Sequence, residues 1–113
     1  LERSPADVYA EYCRRRELAY QVDAEGRPHF RPRVGPFGWR VSGGRGTVYA
    51  TTVVRRRGED PHNVVLVDLD EGFRMMSRVV GVAPQDVTIG ARVRLAWEDG
   101  DPPVPVFESE DGR

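Results

Sequence analysis

The segment Val64–Gly81, VVLVDLDEGFRMMSRVVG, followed by Ile89–Glu98, IGARVRLAWE, constrains the fold more than the rest of the chain together. It reads as three strands joined by a tight acidic turn and a polar connector. In Arg92–Glu98 the alternation is clean. Val93, Leu95 and Trp97 point one way, and Arg92, Arg94, Ala96 and Glu98 the other. A period of two is the signature of a half-buried strand. Asp70–Gly72 interrupts the apolar run between Leu69 and Phe73, and Gly72 can take a positive φ there at little steric cost. Of Met75 and Met76, adjacent in one strand, one faces the core and the other the opposite surface.

The chain has 113 residues, enough for one modest core, with 39% hydrophobic and 31% charged positions. These values place it among soluble globular domains. No apolar run approaches the ~20 residues of a membrane-spanning helix, and no basic–apolar–small leader is read. A membrane is therefore not an expected partner, and a cytoplasmic setting is expected. All 17 basic residues are arginine, yet the formal net charge is −1. No whole-chain field draws in nucleic acid or anionic lipid. The single cysteine, Cys13, excludes an internal disulfide and a self-contained Cys-rich zinc site.

Ser4-Pro5-Ala6-Asp7 opens a helix, with Ser4 at the N-cap, Pro5 at the first helical position and Asp7 in capping-box position. Val8, Tyr9, Tyr12 and Cys13 form its apolar side, and the helix is expected to end near Glu17. Leu18–Val22 suits a short strand. Asp23 to Gly46 is dense in glycine and proline, which disfavours regular structure. Phe30, Phe37 and Trp39 are its apolar anchors, so it reads as an irregular arm packed on something larger. Regular strands follow. They are Thr47–Arg57, with faces 48/50/52/54 and 47/49/51/53, then His62–Leu69, Phe73–Val80, Arg92–Glu98 and a short Val104–Glu108. Pro105 should confine the last of these to a sheet edge. Pro84–Val87 is a short helical connector between the third and fourth strands.

The fold class expected is mainly β: an N-terminal helix, an irregular arm, then a five-stranded Greek-key barrel of the oligonucleotide/oligosaccharide-binding (OB) type. The helix and arm occupy residues 1–45, and the barrel with its acidic tail residues 46–113. Closing the barrel removes the sticky edges that strands this apolar would otherwise expose.

Three segments resemble the acyl-CoA-associated OB-fold family known as domain of unknown function 35. They are VSGGRGTVYATTVV (41–54), NVVLVDLDEGFRMMSRVVG (63–81) and IGARVRLAWED with PVFE downstream (89–99, 105–108). The resemblance implies a helix, a rubredoxin-like zinc ribbon and an OB barrel. The family's ribbon uses two C-x-x-C knuckles. Here Val22 and Glu25 occupy the first, and Gly35 and Gly38 the second. A structural zinc site needs four donors, so a degenerate, metal-free ribbon is expected.

No nucleophile–base set is evident. Ser4, Ser42, Ser77 and Ser109 lie in no nucleophile-elbow context. His29 and His62 are far apart in sequence, and Asp68, Asp70 and Glu71 suit a hairpin tip better than a carboxylate pair for hydrolysis. The resemblance implies a non-catalytic accessory subunit of a thiolase-like or lipid-transfer-protein-like enzyme, in systems that include steroid side-chain aldolases and also hydratases. Such a subunit binds its partner and helps form or cover a CoA-ester site. No cofactor is expected on the chain itself; a coenzyme A thioester is the expected substrate of the complex. The candidate interface is Phe37, Trp39 and Arg40. Arg55, Arg56 and Arg57 are candidates to contact the phosphates of coenzyme A. The alternative is a single-stranded nucleic-acid-binding OB domain, using a basic groove and stacking aromatics such as Tyr49, Phe73 and Trp97.

Overall fold

The computed structural model describes residues 3–110. Ser4 caps helix α1 (Pro5–Arg14), its Oγ accepting from the Asp7 N–H at 3.1 Å. The helix stops before Glu17 because the chain must turn to deliver Leu18, fully buried, to the core. Arg16 makes that turn at φ 55°. Cys13 is 1% exposed on the inner side of the helix.

The arm is more regular than its glycine and proline content suggests. Strands β1 (Ala19–Val22), β2 (Pro28–His29) and β3 (Gly38–Val41) form an antiparallel sheet in the order β2-β1-β3. Two side chains hold what the backbone alone would not. The Gln21 amide, 2% exposed, donates from Nε2 to Arg33 O (3.0 Å) and accepts at Oε1 from Arg33 N–H (2.9 Å). Asp23 Oδ1 accepts from the N–H groups of Glu25 (3.0 Å) and Arg27 (2.9 Å), while its Oδ2 pairs with His29 Nε2 at 3.0 Å.

The larger sheet contains β4 (Arg45–Val54), β5 (His62–Leu69), β6 (Arg74–Ser77), β7 (Val79–Val80), β8 (Arg92–Glu98) and β9 (Val104–Ser109). Its order is β6-β5-β4-β8-β9-β7. Only Arg78 separates β6 from β7, so one bent strand lies at both ends of the sheet and brings them together. Arg78 O accepts from Phe107 N–H at 2.9 Å, and Ser77 Oγ donates to Pro105 O at 3.0 Å. Counting β6 and β7 as one, five strands make the OB-fold domain, with a 3-10 turn at Pro84–Asp86 between the third and fourth. Buried Asn63 fixes the bend: its amide donates to Val79 O (2.8 Å) and accepts from Val79 N–H (2.7 Å).

Three details depart from the periodicity. Strand β4 ends at Val54, which leaves Arg55–Arg57 in the following turn. A bulge between Val48 and Ala50 leaves Tyr49 unpaired with β5 and switches the phase of β4. Val48 shares the inner face with Val67, but beyond the bulge Thr51 pairs with Val65 and Val53 with Asn63. The inner set is therefore 46, 48, 51 and 53, not one unbroken alternation. Finally, β9 is not an edge strand. Its pairing with β7 begins only at Phe107, so the N–H that Pro105 lacks is not needed by the ladder on that side.

Barrel and arm share one core. Val48, Val65, Val67, Val93 and Phe107 fill the barrel, and Leu18 and Tyr20 join it from the arm. Tyr20 and Phe30 both stack on Phe73, at ring centroid distances of 4.7 and 5.4 Å, and Tyr9 meets Phe30 edge-on at 5.7 Å. Offset and edge-on aromatic pairs each add roughly 0.5–1.5 kcal/mol beyond their area.

Candidate partner interface

The acidic turn after β5 connects arm to barrel. Gly72, at φ 101°, closes the turn, with its N–H bonded to Leu69 O at 2.9 Å. This aims Glu71 at the loop between β3 and β4. Glu71 Oε1 accepts from Ser42 Oγ (2.7 Å) and Oε2 from Gly43 N–H (2.7 Å); Ser42 Oγ in turn accepts from Gly44 N–H (2.9 Å). The glycines are there because backbones approach closely. A Cβ on Gly46 would lie 2.6 Å from Asp68 O, and one on Gly44, whose φ is 78°, would lie 2.7 Å from Leu95 Cβ. Two of the motif segments singled out in the sequence thus bind each other.

The other carboxylates of the turn are also engaged. Asp68 pairs with Arg74 at 2.6 Å, and Asp70 takes both ends of the Arg92 guanidinium at 2.8 Å. The Arg92 hydrogen bonds hold the Asp70 carboxyl below the usual carboxylate range. Neighbouring pairs are Arg94 with Glu108 and Arg78 with Glu98. Arg74 also covers the Tyr49 ring, 3.4 Å from its centroid. This outer face of the barrel carries matched charge and offers no net basic groove. Asp68, Asp70 and Glu71 each have their own partners, so they do not form an acid–base pair. Burial pushes the Cys13 thiol up, away from thiolate reactivity.

The proposed interface residues lie on the arm. Trp39 stacks on Tyr12 of α1 with centroids 5.7 Å apart, and is half-buried. Phe37 meets His29 edge-on at 5.4 Å. Arg40 is exposed on β3. Arg55, Arg56 and Arg57 lie elsewhere, exposed in the β4–β5 turn, just beyond the register pair Val54–His62. No hydrogen bond or ion pair among the described residues links them to Phe37, Trp39 or Arg40. An apolar groove of about 400 Å³ is lined by Tyr9 of α1 and Phe30 of the arm, and from the barrel by His62, Met76, Arg78 and Val104. Met76 is 68% exposed on its rim, while Met75 is buried. Among the described residues no group of three or more His, Cys, Asp or Glu is placed to hold a metal ion, and no helix is long and apolar enough to cross a membrane.

A small three-stranded arm sheet docked on an OB-fold domain defines the class of this protein. A family model described as "ChsH2, C-terminal OB-fold domain" matches residues 39–98, more than half the chain, and the chain belongs to that family. Three curated relatives are similar to it. A "Probable enoyl-CoA hydratase alpha subunit" of Thermomonospora curvata is 38% identical over 84 residues, 67% of this chain and 26% of that protein. A "DUF35 domain-containing scaffold protein" of Methanocaldococcus jannaschii is 34% identical over 67 residues, 51% of this chain and 48% of that protein. A "3-oxo-4,17-pregnadiene-20-carboxyl-CoA hydratase alpha subunit" of Mycobacterium tuberculosis is 39% identical over 69 residues, 57% of this chain and 22% of that protein. The chain thus spans between 22% and 48% of the length of these relatives. Among solved structures, a chain of an "Ltp2-ChsH2(DUF35) aldolase" superposes with a TM-score of 0.80 at 28% identity, covering 96% of each chain.

Proposed function

We propose that this protein is a non-catalytic accessory subunit of an acyl-CoA-processing complex. In this reading it binds a lipid-transfer-protein-like or thiolase-like enzyme, of the steroid side-chain aldolase kind, and helps form or cover the partner's CoA-ester site. The observation that carries it is the superposition over 96% of both chains with a chain of a complex whose name joins an Ltp2 subunit to a DUF35 one. The names of the relatives, a scaffold protein and hydratase alpha subunits, support the same class and leave room for a hydratase in the complex. The chemistry of the chain agrees, since His29, Ser42, Asp68, Asp70 and Glu71 each have a structural partner. In this reading Phe37, Trp39 and Arg40 meet the partner, and Arg55–Arg57 reach the phosphates of a coenzyme A thioester bound by the complex.

The test is turnover. An acyl-CoA offered to the purified chain should show no bond cleavage or formation above background, while the chain mixed with its thiolase-like partner should restore the partner's full rate. Turnover by the chain alone, abolished by a point change in it, would contradict the proposal.

A further inference from the structure

Strand β3 has an unoccupied side. Among the described residues it pairs with β1 and with no second strand. The direction of its backbone groups follows from Ser42, whose N–H bonds back to Leu18 O at 2.8 Å. Alternate residues of a strand turn their N–H and C=O groups to opposite sides. Gly38 and Arg40 therefore face β1, and Trp39 and Val41 turn theirs to the open edge. Val41 is 46% exposed, and Gly38 and Arg40 are exposed. An edge of this kind is a template for another strand unless something blocks it.

The charge of the arm selects what can pair there, although Arg27 lies beside β2, across the sheet from the open edge. From Gly26 to Arg45 the chain carries Arg27, Arg31, Arg33, Arg40 and Arg45 and no acidic residue. Arg45 has Glu110 near it at 3.7 Å. No ion pair among the described residues engages the side chains of Arg27, Arg31, Arg33 or Arg40, whereas the arginines of the barrel strands all have carboxylate partners. Arg33 is tied by its backbone to Gln21, the register partner of Trp39, so it lies level with the middle of β3. Two copies of this edge would set like charges against each other, which disfavours self-pairing.

We propose that the open edge of β3 takes up an extended acidic segment of the partner enzyme as the fourth strand of the arm sheet. The proposal rests on the accessory reading and specifies its contact. Main-chain bonds to Trp39 and Val41 supply affinity, and acidic side chains opposite Arg33 and Arg40 set register and exclude other strands.

The experiment is amide hydrogen exchange, read residue by residue, on the full chain alone and in complex with the co-expressed thiolase-like subunit. The Trp39 and Val41 amides should slow at least tenfold on complex formation, while the Gly38 and Arg40 amides change little. The R33E/R40E double variant, both positions exposed, should bind at least tenfold more weakly with an unchanged melting curve. V41P should weaken binding as well. A complex that forms without slowing Trp39 and Val41 would overturn the edge contact and leave the accessory reading standing. Failure to form any complex would overturn both. Equal slowing of the same amides by a twenty-nucleotide oligothymidine would assign the edge to nucleic acid and overturn the protein partner.

Discussion

Thr51 carries the cost of the bulge at Tyr49. The phase switch turns its side chain to the face shared with Val65, where Oγ1 is buried with no hydrogen-bond partner among the described residues. A buried unsatisfied polar group costs about 1–3 kcal/mol. Thr51→Val removes the hydroxyl at nearly constant shape and should stabilise the chain by about 1 kcal/mol in urea denaturation; destabilisation would show that the hydroxyl has a partner. Glu71 is the opposite case, a carboxylate with both oxygens engaged. Hydrogen bonds to charged groups contribute about 1.5–3 kcal/mol. Glu71→Gln retains the shape but loses the charge and one acceptor, and should cost about 1–2 kcal/mol. It should also speed amide exchange at Gly43 and Gly44 more than in β5, whereas uniform acceleration would deny Glu71 a local role. The LDEG turn was legible in the sequence; its second function, holding the Ser42–Gly44 loop, was not. A turn acid bonds whatever the fold brings to it, and no local pattern names a partner 29 positions away.

At the scale of elements, two of the strands announced by alternation appear where the pattern puts them. His62–Leu69 and Arg92–Glu98 match residue for residue, and Pro84–Asp86 is a 3-10 turn. The arm was legible only in part. Its β1 lies within Leu18–Val22, but β2 and β3 are too short to display a period and are held by the side chains of Gln21 and Asp23. We propose that these bonds organise, without metal, loops that the family shapes around zinc. Elemental analysis of protein purified without added metal should give well under one zinc per chain. A full equivalent, lost together with the fold on chelation, would contradict it.

Asp23 makes the arm sensitive to acid. The His29 hydrogen bond, followed by the Arg27 N–H, holds its carboxyl below the usual range. A carboxylate depressed in the folded state stabilises fully above its unfolded value of about 3.9 and loses that contribution as pH falls through the folded value. Glu98, lowered by Arg78, and Asp70 have the same sign, so stability should rise from pH 3 to pH 6. The Glu25 and Arg27 amide resonances should titrate together with a midpoint below about 3.9. A midpoint above 4.5 would exclude the network around Asp23.

For the whole molecule, the core is continuous from helix to barrel through Tyr9, Phe30, Phe73 and Tyr20. We propose a division of labour on this shared core, with residues 1–45 meeting the partner and the barrel of residues 46–113 supporting that contact. The charge distribution fits this arrangement: carboxylates neutralise the arginines of the barrel strands, while those of Arg27–Arg40 and of the Arg55–Arg57 turn have no ion pair among the described residues. A net charge of −1 conceals that asymmetry, which emerges only when the pairs are known. Trp39 is half-buried against Tyr12, and we propose it as the aromatic anchor of the arm for a partner. The most direct measurement is the dissociation constant of the chain for its co-expressed thiolase-like subunit, taken for the native chain and for Trp39→Ala, with each melting curve as control. A stable complex, weakened by about 2 kcal/mol or more in a variant that still folds, is the predicted result. No association with any thiolase-like subunit encoded nearby would contradict the account.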